Sequence, residues 1–250
     1  YLEIFDRAVA GLRDVMGVPE GYKIMFVQGG ATAMFASVPM NLMDGGKADY
    51  IDSGNFAHNA LVEAQKYGQV VVAGSSREDH YAYIPDYTLS PDARYVHITT
   101  NNTVYGTRWD HLPDTGSVPL VADMSSNILS EVYDVSRFGV IYAGAQKNVA
   151  PAGVVILIVR EDLMGRELPI TPKVMSFKKM ADAELFDIFL YDVACKASIK
   201  AGKASSGLEL RTLIDTYYQN KDKFKYCPHG RPIEFIISKK DMEKQFKRIG

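Results

Sequence analysis

The sequence predicts an α/β fold: a mostly parallel sheet flanked by helices, followed by a small α+β segment at the C-terminal end. Three observations carry this. Short apolar, β-branched runs alternate with longer runs of helical period. The short runs are apolar on both sides, as strands covered on two faces must be. Polar, small-residue clusters follow one strand after another, which is where ligands bind in such folds.

The elements follow in order. Residues 1–16 set Ile4, Phe5, Ala8, Leu12 and Val15 at helical spacing, and Gly17-Val18-Pro19 closes that helix. KIMFV at 23–27 is a strand and Gln28-Gly29-Gly30 a turn. Residues 31–43 form a helix with Ala31, Met34, Phe35, Val38 and Leu42 on one face. A strand at 48–52, a helix at 56–67 and a strand at 70–73 come next. Apolar runs at 95–99, 118–122, 140–143 and 154–159 supply the remaining strands. Polar clusters fall after Val27, Asp52, Thr99, Ala122 and Ala143.

Composition bounds the rest. The chain has 250 residues, 47% of them hydrophobic and 23% charged, which suits a globular protein of one large or two smaller domains. No apolar run reaches the length of a bilayer span and no signal peptide opens the chain, so the expectation is a cytoplasmic protein with no membrane partner. Two cysteines, Cys195 and Cys227, are too few for a disulfide scaffold. Residues 1–177 carry 13 basic and 20 acidic side chains, against 15 and 10 in residues 178–250. That reversal of sign suggests two units of different character.

Several strand ends carry residues with chemical potential. Gln28-Gly29-Gly30-Ala31-Thr32 lies between a strand and a helix, where free N–H groups and the helix dipole favour an anion; a ligand-free tight turn is the alternative. Phe56 offers an aromatic face, or core packing. Thr100-Asn101-Asn102-Thr103 offers hydroxyls and amides. Asp123, just past a buried strand, either caps a turn or pairs with a base. Lys147, in the turn Gly144-Ala145-Gln146-Lys147-Asn148, is either a solvated lysine or an amine able to form a Schiff base. In order, these features make up the parts of a pyridoxal-phosphate (PLP) site.

The same residues carry a resemblance. FVQGGATAMFASVPMNLM (26–43), DYIDSGNFAHNA (49–60), TTNNTVYGT (99–107), VADMSSNILS (121–130) and YAGAQKNVAPAGV (142–154) resemble the phosphoserine aminotransferase family of fold-type-I, class-V PLP enzymes, from residue 1 to about 181. The resemblance implies that Lys147 binds the cofactor aldehyde and moves a proton during catalysis. It implies that Asp123 pairs with the pyridinium nitrogen. Ala31, Thr32 and Gln146 would hold the cofactor phosphate, Thr103 the ring's phenolic oxygen, and Phe56 would stack where that family usually has Trp. The implied reaction moves an amino group from glutamate to 3-phosphohydroxypyruvate, giving O-phosphoserine and 2-oxoglutarate, in a homodimer. The resemblance also places the start of this chain after a substrate-binding His-Arg segment. The family's Asn-Thr-Pro-Pro stretch and its small C-terminal domain have no counterpart after Met180.

Residues 182–250 read differently. VACKASIKAG (193–202), CPHGRP (227–232) and FKRI (246–249) resemble the end of the MutL mismatch-repair C-terminal domain. That resemblance implies a metal site, with zinc the candidate ion, at Cys195, Cys227 and His229; a buried thiol beside a turn histidine is the alternative. The basic balance reads as a solvated face, so a nucleic-acid partner is not expected. The expectation is an aminotransferase large domain at 1–181 joined to a MutL-like fragment at 182–250. A metal- or DNA-associated module and an inactive chimera are the competing readings.

Overall fold

The computed structural model describes residues 2–182, together with Arg211 and Asp215. In chain order the elements are α1 (Leu2–Met16), β1 (Tyr22–Val27), α2 (Gly30–Leu42), β2 (Lys47–Asp52), α3 (Asn55–Ala64) and β3 (Gln69–Ser75). Then come β4 (Val96–Thr99), the two-residue strands β5 (Asn101–Asn102) and β6 (Thr107–Arg108), β7 (Leu120–Asp123), β8 (Val140–Gly144), β9 (Val155–Arg160) and α4 (Phe177–Ala181). Every strand and helix expected within residues 1–160 is present.

Seven strands form one sheet in the order β1-β9-β8-β7-β4-β2-β3. The pairs β2–β3, β2–β4, β4–β7 and β7–β8 are parallel, while β9 runs antiparallel to both β8 and β1. The reversal of β9 has a simple cause. Residues 145–154 contain no helix, and a parallel return needs a crossover of a dozen residues or more. Because β9 alone is reversed, β1, β2, β4, β7 and β8 all end on the same edge. The polar clusters seen in the sequence therefore share one edge of the sheet.

Alternation along each strand feeds two cores. Val140 and Tyr142 face Met34, Phe35, Val38 and Leu42 of α2, whereas Ile141 and Ala143 face Trp109, Ile128 and Phe138 on the other side. Each fully buried large apolar side chain contributes about 1.5–3 kcal/mol. The helix α1 packs through a stripe rotated from the expected one. Phe5 meets Phe26 edge-on at 5.6 Å, and Val9, Leu12 and Met16 join the core, while Ile4 (68%) and Val15 (73%) stay exposed. Ala8 is exposed as well.

Four polar rings inside the α2 face are linked to one another, although His97 Nδ1 stays buried without a hydrogen-bond partner. Tyr95 and Tyr50 share a hydroxyl–hydroxyl hydrogen bond of 2.7 Å, Tyr50 stacks on His97 at 4.7 Å, and His97 Nε2 meets the Tyr142 hydroxyl at 2.8 Å. Burial pushes His97 down to about 3, so the imidazole is neutral.

After β9 the chain returns across α2. Asn41, buried in that helix, donates to the Met175 carbonyl at 2.7 Å and accepts from the Phe177 N–H at 2.8 Å. Ser37 donates to the same carbonyl at 2.8 Å. Replacing Asn41 with Ala leaves the Phe177 N–H buried and unpaired. Asn41→Ala is therefore expected to lose about 2–4 kcal/mol in urea denaturation, with fluorescence as the readout.

Candidate active site

Parallel β7 and β8 bring Asp123 and Lys147 to the shared edge. Asp123 is the last residue of β7, and Lys147 lies in the turns that follow β8. Lys147 Nζ donates to Thr103 Oγ1 at 2.9 Å and to Ser126 Oγ at 2.7 Å, and it stands 5.6 Å from the centre of the Phe56 ring. Thr103 in turn donates to Ser126 at 2.7 Å. Residues 44 and 21 positions away in sequence thus close a ring of polar contacts around one amine.

Asp123 is buried, and its carboxylate is held from one side. Its Oδ1 accepts the Ser125 N–H at 2.9 Å and the Ser125 hydroxyl at 2.6 Å. Burial pushes this carboxyl above its usual range; the Ser125 hydrogen bonds and the Lys147 charge oppose that shift without cancelling it. Oδ2 takes no hydrogen bond from any described residue, so one oxygen remains for a cationic partner.

The anion end of the site is the start of α2. Gly29 and Gly30 both take left-handed backbone, with φ of 101° and 67°, and a Cβ on Gly29 would meet Ala33 Cβ at 2.6 Å. No side chain caps the helix, so the N–H groups of its first turn, where Ala31 and Thr32 sit, are open. Phe35 of α2 meets Tyr142 of β8 edge-on at 6.4 Å. The helix therefore lies over β8, and its N-terminus opens on the edge that carries Gln146 and Lys147.

The aromatic and hydroxyl arms reach the site along separate routes. Phe56 is at the start of α3 and 46% exposed, leaving a ring face open. Thr103 rides the turn between β5 and β6, which Asn102 braces by donating to Ser53 at 3.4 Å and Thr107 at 3.2 Å. Gly54 makes room for that brace, because a Cβ there would stand 2.7 Å from Asn102 Cγ. Beyond it, Asp52 contacts His58 at 3.2 Å, and Arg77 reaches His58 at 2.8 Å. Burial and the Asp52 carboxylate push the Tyr81 phenol up to about 12.

Of the residues picked from sequence, Thr103 and Phe56 gather on Lys147, and Asp123 lies near enough to feel its charge. Ala31, Thr32 and Gln146 occupy the same edge. Ser125 and Ser126 carry no site role in the sequence reading; their signals are adjacency to Asp123 and membership of the VADMSSNILS block. Cys195, Cys227 and His229 lie outside the described residues. Among the described residues no group of three or more His, Cys, Asp or Glu side chains could hold a metal ion, and no helix is long and apolar enough to cross a membrane.

Comparison with known proteins gives a consistent picture. The family described as Aminotransferase class-V matches residues 2–180. The chain is 50% identical over 186 residues to phosphoserine aminotransferase of Pseudomonas aeruginosa, covering 73% of this chain and 52% of that protein. It is 48% identical over the same length to the enzyme of that name from Azotobacter vinelandii. The chain thus spans about half the length of the curated relatives it matches. Among solved structures, phosphoserine aminotransferase from Bacillus circulans subsp. alkalophilus superposes with a TM-score of 0.70 at 35% identity, covering 92% of this chain and 60% of that one. PLP-bound phosphoserine aminotransferase from Trichomonas vaginalis gives 0.68 at 31%, covering 73% and 56%.

Proposed function

This chain belongs to the class-V aminotransferases, and from that premise we propose that it carries the cofactor half of a PLP-dependent transaminase of phosphoserine type. The observation that carries the reading is the meeting of Lys147, Asp123, Thr103 and Phe56 at one sheet edge. The residues fit the cofactor. A buried carboxylate with one oxygen unclaimed suits a pyridinium nitrogen, an uncapped helix start suits a phosphate, and an open phenyl face suits a flat ring. When bound, PLP supplies an electron sink conjugated to the substrate's amino group.

The chain's own groups do the rest. Asp123 would hold a proton on the ring nitrogen, and burial strengthens that pairing because water competes poorly there. Lys147 would bond the cofactor aldehyde and, when released, move a proton from the substrate α-carbon. Thr103 and Ser126 are the hydroxyls that receive its N–H groups when it is released. Ala31, Thr32 and Gln146 would hold the phosphate, and Phe56 would cover one ring face. The donor is glutamate and the acceptor 3-phosphohydroxypyruvate, yielding 2-oxoglutarate and O-phosphoserine in serine biosynthesis, with a homodimer as the working form.

The test is a half-reaction. The full chain is loaded with PLP, freed of excess, and given glutamate alone. Conversion of the near-visible absorption band together with release of one equivalent of 2-oxoglutarate is the expected result; an unchanged band and no 2-oxoglutarate overturn the assignment.

A further inference from the structure

We propose that Ser125 is a positioning residue that clamps Asp123 to the end of β8, fixing the acid and the lysine-bearing turn relative to one another. The proposal rests on the cofactor reading above. Ser125 makes three contacts with two strands. Its N–H and its hydroxyl both donate to Asp123 Oδ1, at 2.9 and 2.6 Å, and its oxygen accepts the N–H of Gly144 at 2.9 Å. A hydroxyl has one proton and two lone pairs, so donating to Asp123 and accepting from Gly144 fixes its rotamer from both sides. Gly144 ends β8 and stands three residues before Lys147.

The clamp has two consequences for Asp123. It occupies Oδ1, which turns the choice of oxygen for a cationic ring toward Oδ2. It also supplies two donors to a carboxylate that burial disfavours, and hydrogen bonds to a charged acceptor are about twice as strong as neutral ones. The other groups facing Asp123 supply less. Lys147 offers charge at a distance, while the neutral phenol of Tyr142 on β8 offers none. Thr99 of β4, the register partner of Asp123, has a buried hydroxyl with no partner of its own. A turn that merely closes residues 123–125 would not need the bond to Gly144.

The experiment compares the full chain with Ser125→Ala, Ser125→Cys and Ser125→Thr, measuring PLP dissociation and its pH dependence by absorbance, with circular dichroism as the check on folding. Ser125→Ala is expected to weaken PLP binding about ten- to a hundredfold and to release the cofactor at a higher pH on acidification. The pH shift follows because removing a donor raises the Asp123 pKa further, and protonated Asp123 no longer holds the ring nitrogen. Ser125→Thr keeps the hydroxyl and restores both values. Should Ser125→Ala misfold, the near-isosteric Ser125→Cys carries the test, since its weak donor predicts the same loss. Wild-type affinity and pH profile in either folded Ala or Cys variant overturn the proposal. A wild-type chain that takes up no PLP overturns the cofactor reading and this proposal together, which is a separate result from wild type and Ser125→Ala loading equally.

Discussion

Lys147→Ala should bind PLP without the near-visible band and lose transamination by at least about a thousandfold, while melting within a degree or two of the wild-type chain. The two halves of this expectation come from different features. In the proposed function the amine would bond the aldehyde and move the α-proton, and losing a positioned acid–base group alone costs about a hundred- to ten-thousandfold. Stability is spared because the side chain is exposed and its contacts with Thr103, Ser126 and Phe56 are surface contacts. Absorbance, steady-state rates and a thermal melt of the same preparation check it. Full activity in this variant would remove Lys147 from the mechanism.

Asp123→Asn separates function from stability in the opposite direction. Transamination is expected to fall about a hundred- to a thousandfold, because the amide cannot balance a protonated ring nitrogen. The cofactor-free variant should nevertheless be more stable than wild type at neutral pH, by about 1 kcal/mol or 2–4 °C in melting temperature. The sign follows from burial. A carboxyl whose folded pKa lies above its unfolded value contributes stability when protonated, below about pH 4, and that contribution is lost as pH rises through the folded pKa. The gain of Asp123→Asn should therefore be present at pH 7 and shrink toward pH 4. Asn keeps an oxygen for Ser125, so the local turn survives the change. A loss of stability at pH 7 would show that the buried charge is already compensated within the chain.

Much of this was readable in the chain before its fold was known, and what was not has identifiable causes. Strands such as VIYAG and VILIV announce themselves because burial on two faces leaves no polar residue within them, but an apolar run carries no direction. The reversal of β9 is encoded only in the absence of a helix between Gly144 and Val155. The α1 stripe was misplaced by a residue because Ile4 and Val15 are as apolar as Val9 and Met16. Phe5, which meets Phe26, lies on both stripes, and Val9, Leu12 and Met16 extend the one that packs. Asp123 and Lys147 stood out as charged residues at the ends of buried strands. Ser126 did not, since its contact with Lys147 spans 21 positions and exists only once β7 and β8 lie side by side. Asn41 gave only an incomplete signal. A polar residue inside an apolar helix declares a partner but not which one, and its partners Met175 and Phe177 lie more than 130 residues on.

The central claim is that Lys147 is where the cofactor attaches, and one measurement tests it most directly. The full chain is incubated with PLP, the new carbon–nitrogen bond is reduced with borohydride, and the digested peptides are sequenced by mass spectrometry. One adduct per chain, on the peptide carrying Lys147 and absent from Lys147→Ala, is the predicted result. Adducts spread over exposed lysines such as Lys66 and Lys173, unchanged by Lys147→Ala, would contradict it.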